Sequence, residues 1–485
     1  MHKKTYIILV IVGTFLLVSL LPLFNYSVDR WRVLHSDYAH YYAGHSPNKT
    51  FLKTKYLIEH PHQAQSILMG SSNGGYIDVT RIEKNMYNMK YNFGLLAIHL
   101  QNLKTMLKEG VKIKTLWVGI NDYVIWKDPK DYENSFERSP YKAVLWEDIK
   151  TYMFYLFREP EMMDWYLFKG RYRLLKSDII THPHPHTEAQ KREKEHLKNP
   201  QKWKEHMRQA KASLLRYDDT TYRIDAAIEE IGELKRVCEE HGIALTLFIY
   251  PAFYKTYLAY NQEKMEIFKS KLATVMPYYD FYRLDDDAYD ALKWQDSMHF
   301  AYSRGNEMVD AIKAKKYLVT KENIKEHLTI LKEEAYRHLK LQKGIYRLHP
   351  SLVGALTATL FDLHDSNASY TNATKQFLLK RDETGVTMDI SGNDPELILP
   401  ALAIKKEKAF LSLVLDSPRR ALFRIYYKER VDDDYSEAKT IRYRLHKGVN
   451  RFAFALPAKY LKNRLRINLS DQKGAYKIKT FTLSY

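Results

Sequence analysis

Thr5 to Val28 contains no charged residue. The run is about as long as the roughly 20 apolar residues that cross a bilayer, and it reads as a membrane span that forces the rest of the chain to one side. Leu20-Leu21-Pro22-Leu23-Phe24 continues past the point where a small-x-small cleavage site would stand, so an uncleaved anchor is expected rather than a removable signal. Lys3 and Lys4 set the N-terminus in the cytoplasm, although Arg30 and Arg32 on the far side reduce the asymmetry. The expectation is a single pass through the inner (cytoplasmic) membrane, with the chain after Trp31 periplasmic or otherwise extracytoplasmic.

That placement limits the meaning of the charge. The 76 Lys+Arg against 58 Asp+Glu give +18, which attracts phospholipid headgroups, acidic polysaccharide or nucleic acid alike. Outside the cytoplasm, nucleic acid is not an expected partner. The single cysteine, Cys238, excludes an internal disulfide and a cysteine-based zinc site. It falls in a helical pattern as a small core residue.

At 485 residues the chain exceeds one ordinary core, and its apolar periodicity divides it. Asp29 to Pro61 is polar, aromatic and without period, and reads as a stalk packed on the next domain. Ile67 to Gly70 reads as a buried strand. Leu95, Ile98, Leu103 and Leu107, stopped by Gly110, predict an amphipathic helix, and Thr115 to Asn121 a second buried strand running into a polar turn. Two strands joined through a helix make a βαβ unit and hence a parallel sheet. A charged, aromatic insertion, largely helical, is expected over 127–222. The sheet resumes with a helix through Ile224, Ile231 and Val237 and a third strand over Ile243 to Tyr250, closed by Pro251. A further helix, about Gln262 to Val275, leads to Tyr279-Asp280-Phe281. Ile324, Leu328, Leu331, Ala335 and Leu339 form the stripe of a connector helix within 321–344. Beyond it the period becomes two, as in Phe452/Phe454/Leu456, which predicts a β-sandwich or jelly roll over 345–485. The alternation slips between Ile478 and Phe481, as at a bulge. The expected organisation is an anchor (1–30), an α/β domain (31–320), the connector and the sandwich.

Acyl chemistry by serine needs an activated hydroxyl, a base, a group that orients the base, and donors for the oxyanion. Gly70-Ser71-Ser72 follows the first strand and Asn121 follows the second. Residues just after neighbouring parallel strands face one crevice, so this serine turn and Asn121 are predicted neighbours; Ser71 and Ser72 are equally placed by this argument. Asp296-Ser297-Met298-His299 lets a carboxylate fold back onto an imidazole, holding Nδ1–H and leaving Nε2 free to take the serine proton. Gly94, in Asn92-Phe93-Gly94, offers an unhindered backbone N–H to an oxyanion, alongside the N–H of Ser72 and the Asn121 carboxamide.

The order of these pieces resembles the SGNH (GDSL-like) hydrolase superfamily, whose four blocks are a Gly-Asp-Ser, a Gly, a Gly-x-Asn-Asp and an Asp-x-x-His. The resemblance covers about Gln65 to Ile312. It implies a three-layer, flavodoxin-like α/β domain, with Ser72 as nucleophile, Asp296 and His299 completing the triad, Gly94 and Asn121 in the oxyanion hole, and no metal or organic cofactor. Ser71 stands where the family has Asp. That variant is similar to the membrane-anchored branch that includes the teichoic-acid D-alanylation and alginate acetylation proteins. The C-terminal region resembles small carbohydrate-binding-like β-domains of polysaccharide-modifying proteins. Tyr426, Tyr427, Tyr435 and Tyr443 can stack on sugar rings there, but aromatics in a sandwich belong more often to its core.

His182-Pro183-His184-Pro185-His186 brings three imidazoles near one another, but prolines extend the segment and no carboxylate is fixed beside it, so no metal site is expected. Asn48-Lys49-Thr50 and Asn367-Ala368-Ser369 would accept glycans only in a eukaryotic secretory protein. The reading is an extracytoplasmic serine esterase or O-acyltransferase, acting on acyl, chiefly acetyl, groups of an envelope or secreted polysaccharide. Its partners would be that polysaccharide or its acyl donor, and a membrane-bound O-acyltransferase. The alternatives are a non-catalytic polysaccharide-assembly or binding protein on a hydrolase scaffold, and a lipid esterase.

Overall fold

Three short apolar runs become strands because both of their faces are covered, as parallel strands require. They are β1 (Ser66–Gly70), β3 (Thr115–Ile120) and β4 (Ala244–Ile249). Ile67, Met69, Leu116, Val118, Leu247 and Ile249 belong to one buried cluster. The alternate residues Leu68, Trp117 and Phe248 belong to another on the opposite face. The computed structural model describes residues 3–35, 38, 40–41, 48–91, 93–132, 139–171, 175–176, 186–213, 217, 219–341, 344–353, 359–382, 385–404 and 406–485.

Two edge strands and a short inner one, which carry too few apolar residues to show a period, complete the sheet. They are β2 (Tyr87–Lys90), β5 (Tyr278–Asp280) and β6 (Leu318–Val319), and the strand order is β2-β1-β3-β4-β5-β6. All neighbours are parallel except the β5–β6 pair. The chain steps outward from β1 to β2 and then crosses to β3, so β1 and β3 flank the point where winding reverses. A crevice opens there at the carboxyl edge. One face is covered by α2 (Lys49–Glu59), α3 (Leu96–Lys108), α8 (Ile224–Glu240) and α10 (Gln262–Val275); the other by α11 (Tyr302–Lys313) and insertion helices α6 (His186–Lys198) and α7 (Pro200–Gln209). Short helix α9 (Tyr254–Ala259) follows β4. Among its described residues the insertion also contains α4 (Leu145–Phe157) and α5 (Met162–Phe168).

Two expectations are corrected. The stretch taken as a stalk contains α2, whose residues Thr50 to Leu57 are all buried; Phe51, Leu52, Tyr56 and Leu57 join the first cluster, so this helix is part of the α/β core. The stripe taken as a connector is α12 (Ile324–Leu341). His327 on α12 and Lys269 on α10 both reach the buried Asp280 carboxylate, at 2.8 and 2.7 Å, so α12 is tied into the sheet domain.

N-terminal helix α1 (Lys3–Val28) is long and apolar enough to cross a membrane over Val10–Val28. Among the described residues the C-terminal region forms two antiparallel sheets, of seven and five strands, around their own core. Pairing between Lys408–Ser417 and Gly474–Ser484 shifts between Val414↔Thr480 and Leu415↔Ile478, which leaves Lys479 as the bulged residue. This region sits against the α/β domain. His349 Nε2 meets Asp219 Oδ2 at 2.9 Å and the His349 N–H donates to Leu258 O at 2.6 Å, while Phe410, Ala453 and Ala455 join the first apolar cluster.

The carboxyl edge of the sheet is built around an aromatic slot. Tyr250, just after β4, lies across Gly70 and Gly119, where an added Cβ would meet its side chain at 2.3 and 2.2 Å. Overfilling a packed site costs about 1–3 kcal/mol, so Gly119→Ala is expected to lower stability by that amount in thermal or denaturant unfolding. The Tyr250 hydroxyl is buried without a hydrogen-bond partner among the described residues, so Tyr250→Phe should leave stability unchanged or raised; a large loss would contradict an unpartnered hydroxyl.

Candidate active site

The turn after β1 distinguishes the two serines. Ser71 is buried and its Oγ accepts the N–H of Asn73 at 3.2 Å, capping the short helix over Ser72–Tyr76. That helix aims Ser72 the other way, with Oγ 2.8 Å from Nε2 of His299. Nδ1 of His299 lies 2.9 and 3.1 Å from the two Asp296 carboxylate oxygens. A carboxylate accepts only, so the imidazole proton sits on Nδ1 and Nε2 is left to accept from the serine.

Asp296 also accepts the N–H groups of Met298 (2.7 Å) and His299 (2.9 Å), so one turn shapes the loop and orients the imidazole. Burial pushes the Asp296 carboxyl up. The hydrogen bond and charge of His299, together with the two N–H groups, outweigh burial and hold it below the usual range. The loop is braced by the insertion. Trp203 on α7 donates Nε1–H to the carbonyls of Ala291 and Trp294 at 3.1 and 3.2 Å, and Ser303 gives its hydroxyl to Glu193 of α6 at 2.5 Å.

Asn121, at the end of β3, lines the same cleft as Ser72 and His299. Its carboxamide has no hydrogen-bond partner among the described residues, and its Oδ1 is buried. Gly94 takes a different position from Asn121. Its Cα is pressed on the serine turn, so closely that a Cβ would meet Ser71 N at 2.4 Å, and φ is +35°. The preceding Phe93, at φ 64°, lines the cleft, and Tyr123 donates its hydroxyl to the Phe93 carbonyl at 2.6 Å. Asn92 and the 182–185 part of the histidine–proline run lie outside the described residues. Among the described residues no group of three metal-ligating side chains gathers. In the sandwich, Tyr426 is buried and the Tyr443 ring stacks on Phe452 with centroids 4.1 Å apart.

The cleft encloses about 120 Å³, and several of its walls were not anticipated from sequence: Phe253, Thr256, Tyr260, Ser213 and Asp122. Pro251 was a usable signal, because residues following a third parallel strand reach the same edge. Asp122, in the Gly-x-Asn-Asp block, is half-buried on the cleft wall. It pairs with no cation among the described residues, and burial pushes its carboxyl up to about 7 against the hydrogen bonds from the N–H groups of Tyr123 and Asp122 itself.

No family model and no curated protein matches this sequence. Among solved structures, a family 29 carbohydrate-binding module from Piromyces equi matches 30% of this chain and 93% of its own length at 9% identity, with a TM-score of 0.21. The xylan-binding module CBM15 matches 26% and 97% at 11% identity and a TM-score of 0.15. The C-terminal CBM6 of a laminarinase from Zobellia galactanivorans matches 29% and 100% at 7% identity and a TM-score of 0.14. Likenesses at these scores carry no functional argument.

Asp122 supplies a pH test. Its folded pKa lies above the ordinary 3.8, so between about pH 4 and 7 the folded chain keeps a proton that the unfolded chain has released. The stabilisation from the protonated carboxyl is full below pH 4 and is lost as pH rises to about 7. Asp122→Asn removes this titration, and its thermal midpoint relative to wild type should climb from pH 4 to pH 7 and then level. A pH-independent difference would contradict the assignment.

Proposed function

We propose that this protein is a membrane-anchored serine esterase or O-acyltransferase of the SGNH type, acting on acyl esters, chiefly acetyl, of an envelope or secreted polysaccharide. The observation that carries the reading is the relay Ser72 Oγ–His299 Nε2 at 2.8 Å and His299 Nδ1–Asp296 at 2.9 Å on the wall of the cleft that Asn121 also lines. The order of the sequence blocks supports the same reading, as does the strand order β2-β1-β3-β4-β5, which is that of flavodoxin-like sheets. The polysaccharide acceptor and a membrane acyltransferase as acyl source extend the proposal through the resemblance to the anchored branch. The apolar helix α1 would hold the domain at the extracytoplasmic face of the inner membrane.

In this mechanism Ser72 Oγ attacks the acyl carbonyl carbon while His299 Nε2 takes the hydroxyl proton. The Asp296 carboxylate stabilises the imidazolium that forms. The Ser72 and Gly94 N–H groups and the Asn121 carboxamide are the donors proposed for the oxyanion. Collapse expels the alcohol oxygen, which takes the proton from His299 and leaves an ester on Ser72. Water or a sugar hydroxyl then gives its proton to His299 and attacks that ester, and collapse breaks the acyl–Ser72 bond as His299 returns the proton to Ser72 Oγ. The acceptor in this last step decides between hydrolysis and transfer.

Ser72→Ala and His299→Ala should each reduce hydrolysis of an activated acetyl ester by roughly 10³-fold or more, measured on the full chain in detergent. A fluorophosphonate probe should label Ser72 in wild type and in Ser71→Ala but not in Ser72→Ala, as read by mass spectrometry. Wild-type turnover by Ser72→Ala would overturn the assignment of Ser72, whereas absence of both turnover and labelling in the wild-type protein would favour a non-catalytic scaffold. Release of fatty acid from phospholipid without deacetylation of sugars would favour a lipid esterase.

A further inference from the structure

Helices α4 and α5 are amphipathic with the polarity inverted. The buried residues of α4 are Asp148, Thr151 and Tyr155. Its outer face carries Leu145 (76% exposed), Ile149, Met153 and Phe157 at four-residue spacing, flanked by Trp146 (60%) and Phe154. α5 repeats the pattern: Asp164 is buried, in ion pairs with Arg158 at 2.6 Å and Arg30 at 3.4 Å, while Met162, Trp165 and Phe168 face outward. A contiguous apolar surface of this kind marks an interaction site.

The neighbouring anchor identifies the occupant. The ring of Phe24 on α1 lies 4.5 Å from Trp165 and 5.1 Å from Phe168. Asn25 donates Nδ2–H to the carbonyls of Leu156 and Arg158 at 2.8 and 2.9 Å, and Arg30 pairs with Glu161 at 2.6 Å. The span-capable segment of α1 ends at Val28. At 1.5 Å per residue, Phe24 is therefore about 6 Å inside that end, the depth at which amphipathic helices lie in a bilayer. Trp146 and Trp165 suit the headgroup boundary, and exposed Lys150, Lys169 and Arg171 beside them can reach lipid phosphates while their stems stay in the apolar layer.

We propose that α4 and α5 lie in the interfacial layer of the bilayer crossed by α1, forming a platform that seats the α/β domain on the membrane. The inference rests on the anchoring reading of α1. The domain is then attached over a surface, which sets the height and tilt of the Ser72 cleft relative to the lipid.

The test uses the full chain with Cys238→Ala and single spin-labelled cysteines from Trp146→Cys, Met153→Cys or Phe168→Cys, in phosphatidylethanolamine–phosphatidylglycerol vesicles. Val18→Cys serves as the control within the span and Val431→Cys as the water-exposed control, with thermal melts reporting that each variant folds. Collisions with dissolved oxygen and with an aqueous nickel chelate are measured by electron paramagnetic resonance. The three platform sites should collide with oxygen as Val18→Cys does, with nickel access reduced about tenfold relative to Val431→Cys. Nickel access equal to Val431→Cys, with Val18→Cys dry, overturns the platform alone. Nickel access at Val18→Cys overturns the anchoring reading with it. Protection from both reagents at the three sites overturns the proposal in favour of coverage by a second copy.

Discussion

The packing of the serine turn depends on close backbone approach at the carboxyl edge of the parallel sheet. Gly94 presses a bare Cα on the Ser71 amide, while Gly70 and Gly119 yield their side-chain space to the Tyr250 ring. With those volumes empty, the serine turn can sit low against the sheet, where a short helix aims one hydroxyl inward as a cap and the next outward to the cleft. Tyr250 in turn packs near Phe300, with ring centroids 5.8 Å apart, and Phe300 directly follows His299. The steric slot and the Ser72–His299 hydrogen bond are thus parts of one packing arrangement.

The helical insertion over 127–222 serves both ends of this arrangement. Through α6 and α7 it braces the loop that carries Asp296 and His299, with Trp203 and Glu193 as the contact residues. Through α4 and α5 it grips the end of α1 and presents an apolar face beside that span-capable helix. The charged composition that marks the insertion in sequence describes only part of its surface. On α4 and α5 the charged and polar residues Asp148, Thr151 and Asp164 point inward, where Asp164 meets two arginines.

Much of the fold was legible in the chain because burial on two faces leaves plain apolar runs. β1, β3 and β4, α3, α8 and α10 and the alternating strands of the sandwich all follow from periodicity, and Lys479 sits where the alternation slips. Strands β2, β5 and β6 were not read, since two to four residues show no period and are held by their neighbours' hydrogen bonds. α2 was misread as a stalk: its buried face includes Thr50, Lys53, Thr54 and Lys55, which look solvent-facing until Lys53 is seen donating to Asn88 O at 2.6 Å. The stripe on α12 was read correctly as a helix but not as part of the α/β domain, because its partner Asp280 is a single buried carboxylate with no pattern around it.

By itself the sequence determined the span-capable N-terminal helix, the division into a parallel α/β region and an antiparallel one, and the residue types available for acyl chemistry. These follow from local hydrophobic period and from residues attached to strand ends. Strand-end placement leaves Ser71 and Ser72 equivalent and register with the family blocks points to Ser72; the tertiary structure supplies the physical distinction, with Ser71 capping the turn and Ser72 meeting His299. It also decided that Asp122 shares the cleft and that α4 and α5 carry their apolar faces outward. The Ser72–His299 contact, the meeting of Asp122 with His299 in one cleft and the Arg30–Asp164 pair each join residues more than a hundred positions apart, and no local period records that.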